Sequence, residues 1–133
     1  MATLERNMIV LPVALVLVPM VAWLCARRFM PRFSATATGV GLGLVISPVS
    51  FGLYGTYFLG PFGIVTGMIG LVSLLFHGAP GFHITRFLGL VPPGVVEGIS
   101  HLYIETANAI VWGVVYGVLG LVIDHVRRSR VAL

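Results

Sequence analysis

The chain is 133 residues long, 58% hydrophobic and only 9% charged, and its net charge is +4. Because soluble domains carry about 25% charged residues, this composition excludes a water-soluble globular fold and indicates that lipid covers most of the surface. All eight basic residues are arginines that flank apolar runs, a placement typical of headgroup contacts and not of nucleic-acid binding. The single cysteine, Cys25, excludes an internal disulfide.

The first apolar segment covers residues 8–26, which are 19 residues without a charge. About 20 such residues are needed to span a bilayer as a helix. The segment is followed directly by 27-RRFMPR-32, which is a stop-transfer pattern and not the small-residue cleavage site of a signal peptide. We therefore predict a retained membrane anchor, kinked by Pro12 and Pro19.

Residues 33–85 carry no charge, a run that is too long for one membrane span and sufficient for two. The sequence 59-LGP-61 marks the break, since Gly-Pro interrupts a helix and proline suits the first turn of the next one. We predict a second span over 37–58 and a third over 62–76. The third span is short and needs a locally thinned bilayer or a buried position.

The segment 82–91 mixes Phe, Leu and Val with His83 and Arg86, which predicts a segment lying in the membrane interface. Pro92 and Pro93 end it, and a last helix is expected from about residue 95, with 106–123 as its membrane-spanning part. The fold class predicted is an all-α membrane protein. It has four transmembrane helices in a single domain, residues 1–133.

The start of the last helix carries a polar stripe. At 100° per residue, four polar residues fall on one face of this helix: Glu97, His101, Glu105 and Asn108. The spacing Glu-x-x-x-His-x-x-x-Glu can place two ligands on one metal ion, and His77 and His83 could complete such a site. Acids in the first turns of a helix are also favoured by its dipole, without any ligand. We favour a structural or interfacial role and predict no cofactor, with haem or a metal as the alternative.

Glycines recur at four-residue spacing in three of the predicted spans. The segment 62-FGIVTGMIGLV-72 matches 112-WGVVYGVLGLV-122 at six of eleven positions. Since lipid does not drive helices together, small residues that permit close backbone approach take over that role. We expect the third and fourth spans to pack tightly through these faces, within the chain or against a copy. The glycines concerned, with two from the second span, are Gly39, Gly43, Gly63, Gly67, Gly70, Gly113, Gly117 and Gly120.

Four successive spans would put four arginines on each side of the membrane, so the positive-inside rule gives no orientation. The first helix usually dominates, which places the loop 27–32 in the cytoplasm, and we predict the bacterial plasma membrane as the location.

The sequence contains no phosphate-binding glycine loop, no nucleophile elbow, no His-Glu-x-x-His and no cysteine pair. The expected function is therefore non-enzymatic, as a helix-packing or accessory subunit of a membrane complex. Its partners would be the lipid bilayer and other membrane subunits or a second copy. Two alternatives remain open: a small dimeric channel or transporter, and a haem- or metal-binding subunit that uses His77, His101, Glu97 and Glu105.

Overall fold

The computed structural model describes the backbone of residues 2–92 and 99–131, and the side chains of Val13, 16–92 and 100–130. These residues are helical throughout, apart from short turns. The helices are α1 (Ala2–Phe29), α2 (Ser34–Tyr54), α3 (Gly60–His77), α4 (Ala79–Phe87) and α5 (Ile99–Val131), with a 3₁₀ turn over Pro31–Phe33. Within the described residues, three segments are long and apolar enough to cross a membrane: Pro31–Tyr54, Gly60–His77 and Ser100–Arg130. An all-α integral membrane protein is thereby confirmed.

The helix boundaries differ from the predicted ones mainly at the end of α2. This helix ends at Tyr54 and not at residue 58. Residues 55–59 form turns instead, with the Thr56 amide donating to Leu53 O at 3.0 Å and the Leu59 amide to Thr56 O at 2.9 Å. The break at 59–61 is where the sequence placed it. Gly60 has a φ of +84°, which favours glycine, and a proline follows in the first turn of α3.

The remaining predicted segments fall on α1, α4 and α5. Residues 8–26 lie within α1, and 106–123 lie within α5. The predicted start of the last helix at about residue 95 lies outside the described residues. Helix α4 overlaps the segment 82–91, whose position in the membrane interface stays a prediction.

Helices α2 and α5 are antiparallel, and their backbones touch. A Cβ atom on Gly43 would overlap the backbone of Trp112 and Gly113, and one on Gly39 would overlap the Tyr116 carbonyl group. From the other side, a Cβ on Gly120 would overlap the Ala35 backbone. Such close approach brings many backbone atoms into dispersion contact, which is the main attraction between helices in lipid.

The glycines of α3 face the end of α2 and the turns after it, and not α5. Gly63, Gly67 and Gly70 are buried. A Cβ on Gly67 would lie 2.6 Å from Tyr57 Cα, and one on Gly70 would overlap the Tyr54 amide. Of the two glycine faces that resemble each other in sequence, the one on α5 therefore packs against α2, and the one on α3 packs against the end of α2 and the turns that follow it.

Helix α2 lies at the centre of the bundle, because α1, α3 and α5 all contact it. Helix α1 packs on Gly41, where a Cβ would lie 3.1 Å from Ala22 Cβ. Helix α4 packs on α5.

Six arginines lie at one end of the bundle. The C-terminal part of α5 is fixed to the start of α2, since Asp124 accepts hydrogen bonds from the amides of Ala35 at 3.1 Å and Thr36 at 2.8 Å. The arginines in the last turn of α1 and in the 3₁₀ turn after it therefore share this end with those at the end of α5, whereas four complete membrane crossings would place the two groups on opposite sides. They are Arg27, Arg28, Arg32, Arg127, Arg128 and Arg130.

The reason for this arrangement lies in α3 and α4. The last residue of α3, His77, contacts Tyr116 in the middle of α5, with Nε2 and the phenolic oxygen 2.7 Å apart. Helix α4 then lies beside the first half of α5, where Thr85 and Leu88 line a cavity with Tyr103 and Thr106. Relative to α5, the pair α3–α4 advances halfway and turns back, so α5 runs antiparallel to α2.

Two glycine substitutions at the α2–α5 contact should have opposite effects. Gly43→Ala forces the helix backbones apart, and overpacking of this kind costs about 1–3 kcal/mol. Gly113→Ala adds a Cβ that lies 3.9 Å from Leu44 Cδ2, an ordinary contact, so it should be neutral or stabilising. Thermal unfolding in mild detergent measures both. Equal loss of stability in the two variants would contradict this contact geometry.

Candidate functional site: the polar centre of the bundle

The polar stripe of α5 faces the other helices. The His101 ring packs against Phe51 of α2, with centroids 4.2 Å apart. Asn108 has no exposed surface, and Glu105 is half-buried. Glu97 lies outside the described residues. The described members of the stripe therefore contact α2 and α4, and their proximity to lipid headgroups stays a prediction.

Asn108 caps helix α4. Its Oδ1 accepts a hydrogen bond from the Gly81 amide at 2.6 Å, and both groups are buried. Gly81 is in the first turn of α4, whose own N-cap residue, Gly78, supplies no side-chain hydrogen bond. The first amides of a helix have no partner within it, so Asn108 supplies from a neighbouring helix what a local cap normally provides. A Cβ on Gly81 would lie 2.6 Å from Asn108 Cγ, which explains the glycine.

Two further polar atoms near this level are buried without a hydrogen-bond partner among the described residues. They are Asn108 Nδ2 and Ser47 Oγ, and both residues have no exposed surface. Burying such groups without a partner costs free energy, roughly 1–3 kcal/mol each. The bundle therefore has spare hydrogen-bonding capacity in its interior.

An open cavity of about 350 Å³ lies between α2, α3, α4 and α5. Its polar lining comes from His83, His101 and Glu105, with Phe51 and Phe82 beside them. The Oε2 atom of Glu105 is buried and has no hydrogen-bond partner in the described part of the chain. A carboxylate beside two imidazoles can receive a polar group. Yet the described side chains, those of Val13, 16–92 and 100–130, bring together no set of three His, Cys, Asp or Glu suited to a metal.

His77, which directly follows the third span predicted from the sequence, is a member of the polar centre. Its Nε2 lies 2.7 Å from the Tyr116 hydroxyl, and its carbonyl oxygen accepts from Trp112 Nε1 at 2.9 Å. The imidazole also packs on the Trp112 ring, at 4.6 Å between centroids. A histidine at the C-terminal end of an apolar run, with Trp and Tyr one turn apart on another helix, was the only signal for this contact.

Ser50, Ser73 and His77 form a hydrogen-bonded chain, but not a catalytic one. The two serine oxygens are 2.6 Å apart, and His77 Nδ1 lies 3.2 Å from Ser73 Oγ. The same Nδ1 is 2.9 Å from the Ser73 carbonyl oxygen, which can only accept a hydrogen bond. Nδ1 of the neutral ring therefore carries the proton and cannot act as a base toward Ser73. This chain ties α2, α3 and α5 together.

Asp124 is a second cap that α5 supplies to another helix. Besides the Ala35 and Thr36 amides, its carboxylate accepts from Thr36 Oγ1 at 2.8 Å. The residue is 4% exposed. Arg127 and Arg128 follow Asp124 by one turn of α5, at a spacing that permits an ion pair. Instead, Arg128 Nε donates to the Asp124 carbonyl oxygen at 3.2 Å, while the carboxylate binds the first turn of α2.

No protein-family model, curated protein or solved structure matches the chain. The role of the eight glycines in assembly and the use of the polar stripe as a site stay predictions.

Removing the Asp124 carboxylate should loosen the start of α2. Asp124→Ala leaves three donors unpaired, and loss of a helix cap costs about 0.5–2 kcal/mol. We expect faster amide hydrogen exchange at Ala35 and Thr36, a smaller effect in Asp124→Asn, and none in His125→Ala, whose side chain is exposed. Unchanged exchange at these two amides in Asp124→Ala would rule out the cap.

Proposed function

We propose that the protein is a non-catalytic helix-packing or accessory subunit of a membrane protein complex. The observation that carries this proposal is an apolar groove of about 480 Å³, open to the outside, between α2 and α5. One wall is formed by Val40 and Leu44 of α2, and the other by Ala109, Gly113 and Gly117 of α5. The α5 residues recur every fourth position, which gives a flat face that a further transmembrane helix can approach closely.

Gly113 is the residue that points to an external partner. Gly39, Gly43 and Gly120 are each needed inside the bundle, because a Cβ atom there would overlap the backbone of the facing helix. At Gly113 the nearest atom to an added Cβ is Leu44 Cδ2, at 3.9 Å. Packing among the residues that the structure describes therefore leaves room for a side chain at Gly113. Because glycine has no side chain, it instead leaves the groove deep enough for a helix from another subunit to approach closely.

The finer architecture that fits this proposal has four membrane helices. Like α2 and α5, helix α1 crosses the whole membrane, since its segment 8–26 is uncharged and long enough to span the bilayer. Helix α3 enters from the opposite surface and stops beside the middle of α5, and α4 leads back toward the surface, where 82–91 reaches the interface. Six of the eight arginines then lie on one side, which the positive-inside rule assigns to the cytoplasm of a bacterial plasma membrane.

Cysteine labelling tests this orientation. In a Cys25→Ser background, Met30→Cys and Ser129→Cys should both resist a membrane-impermeant maleimide in intact cells and react after permeabilisation. Phe58 lies between α2 and α3, and its side chain is 88% exposed. The Phe58→Cys variant should therefore react with the maleimide in intact cells. If positions 30 and 129 reacted from different sides, the arrangement of the crossings would be wrong.

Filling the groove should release the partner while the bundle stays folded. Gly113→Leu places a branched side chain across the α5 face, and Val122→Leu is the matched control at an exposed position outside the groove. Native mass spectrometry of the protein extracted from its own membrane in mild detergent should show a larger complex for the native chain and for Val122→Leu. For Gly113→Leu we expect the free protein with an unchanged melting temperature.

Substitutions in the polar stripe provide the opposite test. Glu97→Gln and Glu105→Gln should leave the complex intact and its activity nearly unchanged. Loss of activity in either variant, with assembly intact, would contradict the packing role.

A small dimeric channel or transporter is the second candidate function. It is favoured by the unpartnered polar atoms of Asn108 and Ser47 in the bundle interior, since polar groups at that depth are rare unless functional. In the same mass spectra, a self-dimer without other subunits would support this candidate. A retained haem or metal mass would support a cofactor-binding subunit.

A further inference from the structure

The end of the bundle that carries six arginines is strongly cationic. Of the four acidic residues in the sequence, only Asp124 belongs to the segments that meet there. The carboxylate of Asp124 is already engaged, because it accepts hydrogen bonds from the Ala35 and Thr36 amides in the first turn of α2. The positive charge at this end is therefore largely uncompensated by the chain itself.

A groove of about 390 Å³ runs from this end along α1, α2 and α5. Arg127 lines its mouth, together with Trp23 of α1. The Arg27 guanidinium stacks over the Trp23 ring, 5.0 Å from its centroid, which brings a second cation to the mouth. Deeper in the groove the lining is apolar, with Leu42, Leu119 and Ile123, and Tyr116 lies beside them.

A groove with arginines at its mouth and an apolar interior matches one class of ligand, a lipid with an anionic headgroup. A phosphodiester headgroup can accept hydrogen bonds from guanidinium groups, and a tryptophan beside it is typical of the headgroup level. An acyl chain attached to that headgroup can lie along the apolar part. A helix of another protein would leave the arginines at the mouth unpaired, and a zwitterionic lipid would bring its own cation to them.

We propose that this groove binds an anionic glycerophospholipid, with the phosphate between Arg27 and Arg127 and one acyl chain along α2 and α5. The site lies on the other side of the α2–α5 contact from the groove lined by Gly113 and Gly117. The proposal therefore does not depend on a protein partner. It assigns a role to arginines that the positive-inside rule treats only as a topological signal, and to a glycine, Gly39, that lines this groove as well as the α2–α5 contact.

The experiment is lipid exchange followed by native mass spectrometry. The delipidated full chain is mixed with equal amounts of phosphatidylglycerol and phosphatidylcholine of matched chain length, and retained lipid is counted. Phosphatidylglycerol should be retained at least about ten-fold more, since each arginine near anionic lipid contributes about 1 kcal/mol and 1.4 kcal/mol corresponds to ten-fold. Equal retention of the two lipids would overturn the proposal.

Variants then locate the site. Arg127→Gln should weaken retention of phosphatidylglycerol about five-fold, and Arg27→Gln with Arg127→Gln roughly thirty-fold. Arg127→Lys keeps the charge and should retain most of the binding. Arg86→Gln, which removes the same charge from α4, should have no effect. Retention that survives the double substitution, or falls equally in Arg86→Gln, would place the lipid elsewhere and refute the site.

A groove-filling variant separates specific binding from general attraction to a cationic surface. Ile123→Trp narrows the groove below Arg127 while leaving all arginines in place, and Ile123 is 46% exposed, so the bundle has room for the change. Loss of bound phosphatidylglycerol in Ile123→Trp, at an unchanged melting temperature, is the expected result. Undiminished retention would show that only the headgroup is held, which contradicts an acyl chain in the groove.

Discussion

The contact between the backbones of α2 and α5 is the constraint on which the rest of this bundle depends. Helices in lipid gain no free energy from burying apolar side chains, so they associate through close packing and hydrogen bonds. Gly39, Gly43 and Gly120 permit that approach, because a Cβ atom at each would overlap the facing backbone. Helices α1 and α3 then pack on α2, and α4 packs on α5. A change in the α2–α5 distance would therefore move α4, which follows α5, relative to α1 and α3, which follow α2.

Helix α5 also supplies the caps that two of its neighbours lack. Asp124 binds the first amides of α2, and Asn108 binds the first turn of α4. Both helix starts lack a capping side chain of their own, and unpaired amides are costly where water is scarce. Because a cap acts only at hydrogen-bond distance, these two residues fix the positions of α2 and α4 along α5. The glycines set how close the helices come, and the caps set their register.

The sequence predicted the helices well and their arrangement poorly, for a physical reason. Uncharged length identified the helical segments, and 59-LGP-61 located the turn before α3, since these signals are local. Gly39, Gly43 and Gly120 lie against a facing backbone, but the glycine pattern in the sequence did not indicate which helix each glycine faces. The position of His77 was missed, because nothing in the segment 77–81 distinguishes a turn beside the middle of α5 from a loop outside the bilayer. That one difference moves three arginines of α5 to the end that holds Arg27, Arg28 and Arg32.

The α2–α5 pair presents two grooves whose chemistry differs, and the difference separates the two proposed occupants. The groove at Gly113 and Gly117 is lined almost entirely by apolar atoms, and its base consists of small residues. It therefore favours a partner with a regular surface of matching shape, such as a helix. The groove at Tyr116 and Leu119 has an apolar interior but ends at Arg127, so its occupant must combine a long apolar chain with an anion. Apolar surface alone would not distinguish protein from lipid in a membrane. The charge at one end of one groove makes that distinction, and the arginines of α5 lie at that end because α3 and α4 together advance only halfway along α5 before the chain turns back.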